Sequence, residues 1–309
     1  MTADDTRTGS RPPYGGRMTT VTTVGVVGLG IMGSAIAGHL LDAGYDVTGT
    51  DVSPEAVKAL AARGGRPAAD LATLARESTV VITSLPSAEA ARQVCAELAT
   101  ALGTGRDPVV VDTSTLSLAV KQECRSLLAA AGVELLDCPI SGTGAQAKVR
   151  DLVVLGSGDE AAFETARPAL EAFARSVRHL GPFGDGTRMK LVANLLVSIH
   201  NASTAEAFAL GVAAGLDPAV LYETVRDGAG GSVIFDKRGP LMVERSYRPA
   251  TAKVSMFIKD VTLVRELAQS VGISTPVLDA TLPLYERAAD TGWADADAAA
   301  LLEVLEEKR

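Results

Sequence analysis

Gly28-Leu29-Gly30-Ile31-Met32-Gly33 has the spacing of a phosphate cradle, and it sits between an apolar run over 21–27 and a helical window. The first glycine permits a tight turn and the second lets backbone N–H groups approach a pyrophosphate. The third lets the helix pack closely on the strand, and the helix N-terminus favours the anion. The whole string, Ile31 and Met32 included, is the expected contact for the phosphates of a dinucleotide. Asp51 lies 18 residues past Gly33 at the end of the second predicted strand. A carboxylate there accepts hydrogen bonds from ribose hydroxyls and repels a 2′-phosphate, which favours NAD over NADP. It also starts the turn Asp51-Val52-Ser53-Pro54, and the two roles are compatible because Ser53 and Pro54 already form an N-cap and N1 pair. Arg63 and Arg66 follow downstream and do not overturn the Asp.

A second pair is Lys190 and Asn194, four apart on a long predicted helix and therefore on one face. Val197 and Asn201 join that stripe, while Leu191, Leu195 and Ile199 take the other side. Periodicity alone describes an ordinary amphipathic helix with Lys and Asn in water. Against that stands the run from Leu191 to Ala205, which has no Asp, Glu, Lys or Arg. His39, His179 and His200 are scattered with no ligand spacing, so no metal site is expected. No G-x-S-x-G elbow occurs.

These residues need a scaffold, and 309 residues with 47% apolar and 21% charged side chains suffice for two domains with sizeable cores. With 29 basic against 37 acidic residues and a net charge of -8, no nucleic-acid partner is expected. Cys95, Cys124 and Cys138 are odd in number and lack C-x-x-C spacing, which fits reduced thiols in the cytoplasm, without disulfide or structural zinc. The charge-free stretch Met18 to Leu41 carries five glycines from Gly25 to Gly38, each costing a helix about 1 kcal/mol, so no membrane span is expected there. Residues 1–20 read as a flexible tail, and Met18 is a possible native start.

From Val21 a βα rhythm runs through VTTVGVVG, DVTGTD, TVVITSLP, PVVVDTST, VELLDCPIS and DLVVLGSG, with helices between and a short strand near VRHLG. It predicts a doubly wound α/β domain with a parallel Rossmann-type sheet over 21–184. Beyond the breaker Gly181-Pro182-Phe183-Gly184-Asp185-Gly186 the pattern turns Ala- and Leu-rich. An all-helical C-terminal domain is expected over 185–309, joined by one long helix reaching about Gly215.

Four segments in order resemble the β-hydroxyacid dehydrogenase family, the relatives of 3-hydroxyisobutyrate dehydrogenase and tartronate semialdehyde reductase. They are the glycine string with Ser34, then Asp137-Cys138-Pro139-Ile140-Ser141-Gly142-Thr143-Gly144-Ala145, then Gly184 to Asn194, and then Phe257-Ile258-Lys259-Asp260. The resemblance implies an NAD-dependent enzyme that interconverts a small 3-hydroxy carboxylate with its aldehyde or ketone. It assigns the substrate carboxylate to Ser141 and the backbone at Gly142 and Thr143, a hydroxyl and successive N–H groups that suit an anion. It makes Lys190 the acid/base and Asn194 its hydrogen-bonding partner at the substrate. Leu85, Pro86 and Thr115 are assigned to the nicotinamide half, and Lys259 to the cofactor and substrate region. Ser232 and Arg238 are weaker pocket candidates that an interhelix loop explains nearly as well. Cys138 reads as a small strand-filling residue.

Thr143 replaces the family's usual second glycine, and the Thr143-Gly144-Ala145-Gln146 string leans towards a polyhydroxylated acid. The resemblance further implies a homodimer or homotetramer built on the long helix. The rivals are an imine reductase-like enzyme, whose branch lacks the lysine, and a non-catalytic dinucleotide-binding protein of the same fold.

Overall fold

The computed structural model describes residues 23–102 and 108–307, so the expected tail over 1–20 lies outside the described residues. Six strands, β1 (Thr23–Val27), β2 (Asp46–Thr50), β3 (Arg66–Pro67), β4 (Val80–Thr83), β5 (Val109–Asp112) and β6 (Leu135–Asp137), are linked by α1 (Ile31–Asp42), α2 (Pro54–Ala62), α3 (Leu71–Glu77), α4 (Ala88–Ala101) and α5 (Leu118–Ala130). They form one parallel sheet in the order β3-β2-β1-β4-β5-β6. This is the doubly wound order, with its switch point between β1 and β4. Val24, Val26, Val80, Ile82, Val110 and Val111 are fully buried, as strands covered on both faces require. Ser53, Ser87 and Ser117 each accept the third amide of the helix they open, a cap worth about 1 kcal/mol.

The parallel sheet ends earlier than the βα rhythm predicts. VELLDCPIS is two strands, because Cys138-Pro139 interrupts the ladder and proline has no N–H to donate. After it come β7 (Ile140–Ser141), α6 (Gly144–Lys148), β8 (Val153–Gly156), α7 (Glu160–Phe173) and β9 (Ser176–His179). They build a separate sheet, β7-β8-β9, in which β7 runs antiparallel to β8.

The 29-residue α8 (Asp185–Ala213) then opens an all-helical half with α9 (Pro218–Arg226), α10 (Val233–Val243), α11 (Val254–Ser270), α12 (Pro276–Asp279), α13 (Leu282–Ala288) and α14 (Leu301–Glu306). That half has its own core, with Leu191, Phe208, Phe257, Tyr285 and Leu301 among its members. No helix among the described residues is long and apolar enough to cross a membrane. Cys95, Cys124 and Cys138 are buried and unbonded.

Candidate active site

The carboxyl ends of β1, β2, β4 and β5 carry Gly28, Asp51, Leu85 and Thr115 respectively, so four separate sequence segments meet along one edge. The glycine string fits a dinucleotide on backbone grounds. Gly28 has φ +88°, and a Cβ there would stand 2.3 Å from the Ser84 carbonyl oxygen. A Cβ on Gly33 would lie 1.8 Å from the Gly28 oxygen, so the helix sits tight against the turn. Gly30 faces open space, where a phosphate has room. Ile31 is exposed, while Met32 is half-buried against the sheet core.

Asp51 accepts the Leu29 amide at 2.5 Å on one oxygen and the Ser53 amide at 2.8 Å on the other. The turn-starting role expected of Asp51 is present. The carboxylate is fixed beside the cradle, and each oxygen retains capacity for a ribose hydroxyl. Arg63 pairs with Asp42 at 3.3 Å and Arg66 with Asp46 at 2.8 Å, so both arginines are engaged by carboxylates.

On the next strands the Leu85 amide donates to Ser114 Oγ at 2.8 Å, and that hydroxyl donates to Asp112 at 2.6 Å. Pro86 is exposed and Thr115 half-buried at the same edge. The loop after β7 packs against the cradle, because a Cβ on Gly144 would lie 2.6 Å from Ile31 Cγ2. Ser141 and Gly142 are half-buried on that loop.

Thr143 is committed elsewhere. Its amide donates to Gln146 Oε1 at 3.1 Å and its hydroxyl accepts from the Gln146 amide at 3.4 Å. This is a capping box that opens α6. Ser141 and the Gly142 amide are not engaged by that cap. Within the string that leaned towards a polyhydroxylated acid, the Thr143 hydroxyl and the Gln146 side chain are engaged in the helix cap.

α8 is seated on the strand that leads into this loop. A Cβ on Gly186 would lie 2.2 Å from the Leu155 oxygen and 2.7 Å from the Asp137 oxygen, so only glycine allows that approach. One turn on, Lys190 is half-buried and Asn194 is 5% exposed. Further along the stripe Asn201 is fully buried, and its Nδ2 donates to Tyr285 and to the Ala298 carbonyl. The polar stripe faces inwards, whereas Met189, Val192 and Leu196 are exposed. This reverses the solvated-face reading of the same helix. The two asparagines differ at the amide nitrogen, since Asn194 Nδ2 is buried with no hydrogen-bond partner among the described residues, whereas at Asn201 the unpartnered atom is Oδ1. A buried donor without a partner costs about 1–3 kcal/mol, and at Asn194 that donor is free to bond a ligand.

Burial holds Lys190 below the ordinary lysine range, and the charge of Asp260 opposes that shift. Burial likewise raises Asp260, against the pull of Lys190 and Lys259. Lys259 itself is exposed. Sequence reasoning named the lysine of this dipeptide and missed the acid. The signal was periodicity, because Asp260 is three residues from Phe257 and four from Val264, both buried, and so lies beside the packed face of α11.

Two weaker candidates have structural work instead. Ser232 Oγ accepts the Phe235 amide at 3.0 Å as the N-cap of α10. Arg238 is buried and bonds Asp297 at 2.8 Å and Thr251 at 2.6 Å, a brace within the helical half and not a pocket cation. Cys138 is fully buried in the core, where desolvation pushes its thiol far up, as its strand-filling reading implies. Among the described residues no three His, Cys, Asp or Glu side chains cluster as metal ligands.

Known proteins share this design. Residues 23–181 match the family model described as the NAD binding domain of 6-phosphogluconate dehydrogenase, and 184–305 match the NAD-binding segment of NADP-dependent 3-hydroxyisobutyrate dehydrogenase. The L-threonate dehydrogenase of Cupriavidus necator is 32% identical over 286 residues, covering 91% of this chain and 95% of that protein. The 3-hydroxyisobutyrate dehydrogenase of Pseudomonas aeruginosa is 34% identical over 267 residues, 83% of this chain and 89% of its own. A crystal structure of 3-hydroxyisobutyrate dehydrogenase from Salmonella typhimurium superposes with a TM-score of 0.81 at 32% identity, covering 91% and 99% of the two chains. A cradle that accepts a dinucleotide, a half-buried lysine beside an unpartnered asparagine, and matches along nearly the whole chain lead to one family: this chain belongs to the β-hydroxyacid dehydrogenases, NAD(P)-dependent oxidoreductases with a Rossmann-type domain and a helical C-terminal half.

Proposed function

We propose that this chain interconverts a small 3-hydroxy carboxylate with its aldehyde or ketone, with NAD preferred, and that Lys190 is the acid/base. The observation that carries the reading is the first two turns of α8, where a half-buried lysine with a lowered pKa stands one turn from a buried amide nitrogen without a partner. The nicotinamide cofactor, when bound, supplies hydride exchange at the substrate carbon. The chain supplies the rest. Gly28, Gly30, Ile31, Met32 and Gly33 would hold the pyrophosphate, with Asp51 on the ribose and Leu85, Pro86 and Thr115 on the nicotinamide half. Ser141 and the Gly142 amide would anchor the substrate carboxylate. Asn194 Nδ2 would donate to the substrate oxygen, and Lys190 Nζ would take its proton in oxidation and return it in reduction, so that no free alkoxide forms.

Asp51, with Arg63 and Arg66 both engaged by other carboxylates, supports NAD over NADP. The relative from Cupriavidus necator supports a polyhydroxylated acid such as threonate among the substrates, although Thr143 does not. The division at Gly184/Asp185 would make the cofactor half and the helical half separate domains. The exposed apolar side chains Met189, Val192 and Leu196, spaced three and four apart on α8, support a homodimer or homotetramer that covers them. The unbonded buried thiols suit a cytoplasmic location.

A panel of 3-hydroxy acids with NAD and NADP, followed by absorbance of the reduced cofactor, tests the reading. Turnover of at least one acid is expected, with kcat/KM about tenfold or more higher for NAD, the effect of about 1.4 kcal/mol. No activity on any hydroxy acid, or equal use of both cofactors, would overturn the corresponding part. A single monomer mass at micromolar concentration would overturn the oligomer.

A further inference from the structure

The molecule contains a second buried lysine that the chemistry above leaves unused. Lys121, on α5, is completely buried, with Nζ 2.7 Å from Asp112 Oδ2 and 3.0 Å from Asp137 Oδ1. Each carboxylate continues into one half of the site. Asp112 Oδ1 accepts from Thr83 Oγ1 at 2.8 Å and from the Ser114 hydroxyl at 2.6 Å, and Ser114 in turn receives the Leu85 amide at 2.8 Å. Asp137 accepts the Thr187 amide at 2.8 Å and the Thr187 hydroxyl at 2.8 Å, in the first turn of α8.

The long helix has no side-chain cap of its own, since its N-cap residue is Gly184. The neighbouring strands supply the cap: Asp137 holds Thr187, and Ser157 Oγ accepts the amides of Gly184 and Gly186 at 3.2 and 2.9 Å. A carboxylate at a helix N-terminus is favourable for the dipole but expensive to bury alone, and Lys121 makes that burial possible.

We propose that Lys121 is a positioning residue for Lys190. Through Asp137 and Thr187 it fixes the first turn of α8, and through Asp112 and Ser114 it fixes the loop at Leu85, so the acid/base and the cofactor edge are held in register by one buried ammonium. Lys190 lies three residues, less than one turn, beyond Thr187. A small displacement of the reacting groups can cost a rate factor of about 100, so loss of this tie should be read mainly in kcat. The inference rests on the assignment of Lys190 as the acid/base.

The test compares Lys121→Met, Thr187→Val, Thr187→Ser and the double variant Lys121→Met/Thr187→Val in the full-length protein, with turnover normalised to sites that bind NADH by fluorescence. Lys121→Met should lower kcat per folded site by about tenfold or more. Thr187→Val should lower it less, and Thr187→Ser, which keeps the hydroxyl, should restore it. In the double variant Thr187→Val should cost little further, because one tie has already been cut. A Lys121→Met protein with wild-type kcat per site, a harmless Thr187→Val, or fully multiplicative losses would overturn the proposal. If Lys121→Met does not fold, the threonine pair decides.

Hydrogen exchange separates this idea from the reading beneath it. The Thr187 amide should exchange faster in Thr187→Val, and unchanged protection there would remove the clamp whatever the reaction is. Retained turnover in Lys190→Ala would instead refute the acid/base assignment and leave the clamp standing.

Discussion

Lys121 and Lys190 are the same residue type in one protein, the first fully buried and the second half-buried, and their titration runs in opposite directions. Burial alone would lower both. At Lys121 two carboxylates in direct contact outweigh that penalty and hold the ammonium above the ordinary range. At Lys190 one carboxylate, Asp260, acts by its charge with no direct ion pair between the two, and desolvation wins. The first lysine is a permanent cation that bridges strands; the second releases its proton more readily than an ordinary lysine. Contacting acids, more than depth of burial, decide the direction in which a lysine's titration moves.

The sharpest break in that comparison is to delete each ammonium in turn. Lys190→Ala should lower kcat by roughly two to four orders of magnitude, with NADH binding nearly intact because the glycine string and Asp51 are untouched. Near wild-type turnover on the best substrate would mean that Lys190 is not the acid/base. Lys121→Met should act first on stability, since it leaves two buried carboxylates facing one another, a loss of about 3–5 kcal/mol.

The pH response carries its own signature. In the wild type, Asp112 is subject to burial, which raises it, but Lys121 and Ser114 outweigh that and hold it below the usual carboxylate range. Its contribution is therefore present above the unfolded value of about 3.9 and lost only at more acid pH. Without Lys121 the folded carboxyl rises above that value, so the variant gains stability on protonation. The difference in Tm between the two proteins should narrow from pH 7 to about 4, and a constant difference would show that the ammonium carries no charge compensation.

The two lysines were not equally legible in the sequence. The cradle, Asp51, the order of elements and the long helix followed from glycine spacing and hydrophobic period, which are local. Lys190 was found by resemblance and by its charge-free surroundings, whereas periodicity placed it in water. That failed because α8 turns its polar stripe inwards towards Tyr285, Ala298 and the site, and leaves Met189, Val192 and Leu196 outside. Lys121 went unnoticed altogether. In LAVKQECRSLLAA it reads as a surface charge, and its partners lie 9 residues before and 16 after it, on two strands that meet only in the folded sheet. Thr143 shows the opposite case: its capping box with Gln146 three residues on is a local motif visible in the chain itself. The antiparallel β7 needed Pro139 to be read as the end of a strand, not as part of one.

The smallest predicted effect tests what remains of the comparison, the single carboxylate near Lys190. An ordinary lysine loses its proton near pH 10.4, so oxidation by a neutral Lys190 should accelerate as pH rises, and reduction should favour lower pH. Desolvation brings that limb below the ordinary value, while Asp260 pushes it back up. Asp260→Asn removes only the opposing charge, and Lys259, which also acts on Asp260, is exposed and screened by water. The limb of kcat/KM for oxidation, measured in initial rates at saturating cofactor, should therefore move to lower pH, with the plateau close to wild type. Initial rates matter because the overall reaction releases a proton and progress curves would imitate the trend. A limb that stays in place would mean that Asp260 does not set the affinity of Lys190 for its proton, and a limb that moves upwards would mean that burial, too, has been misjudged as the dominant influence on it.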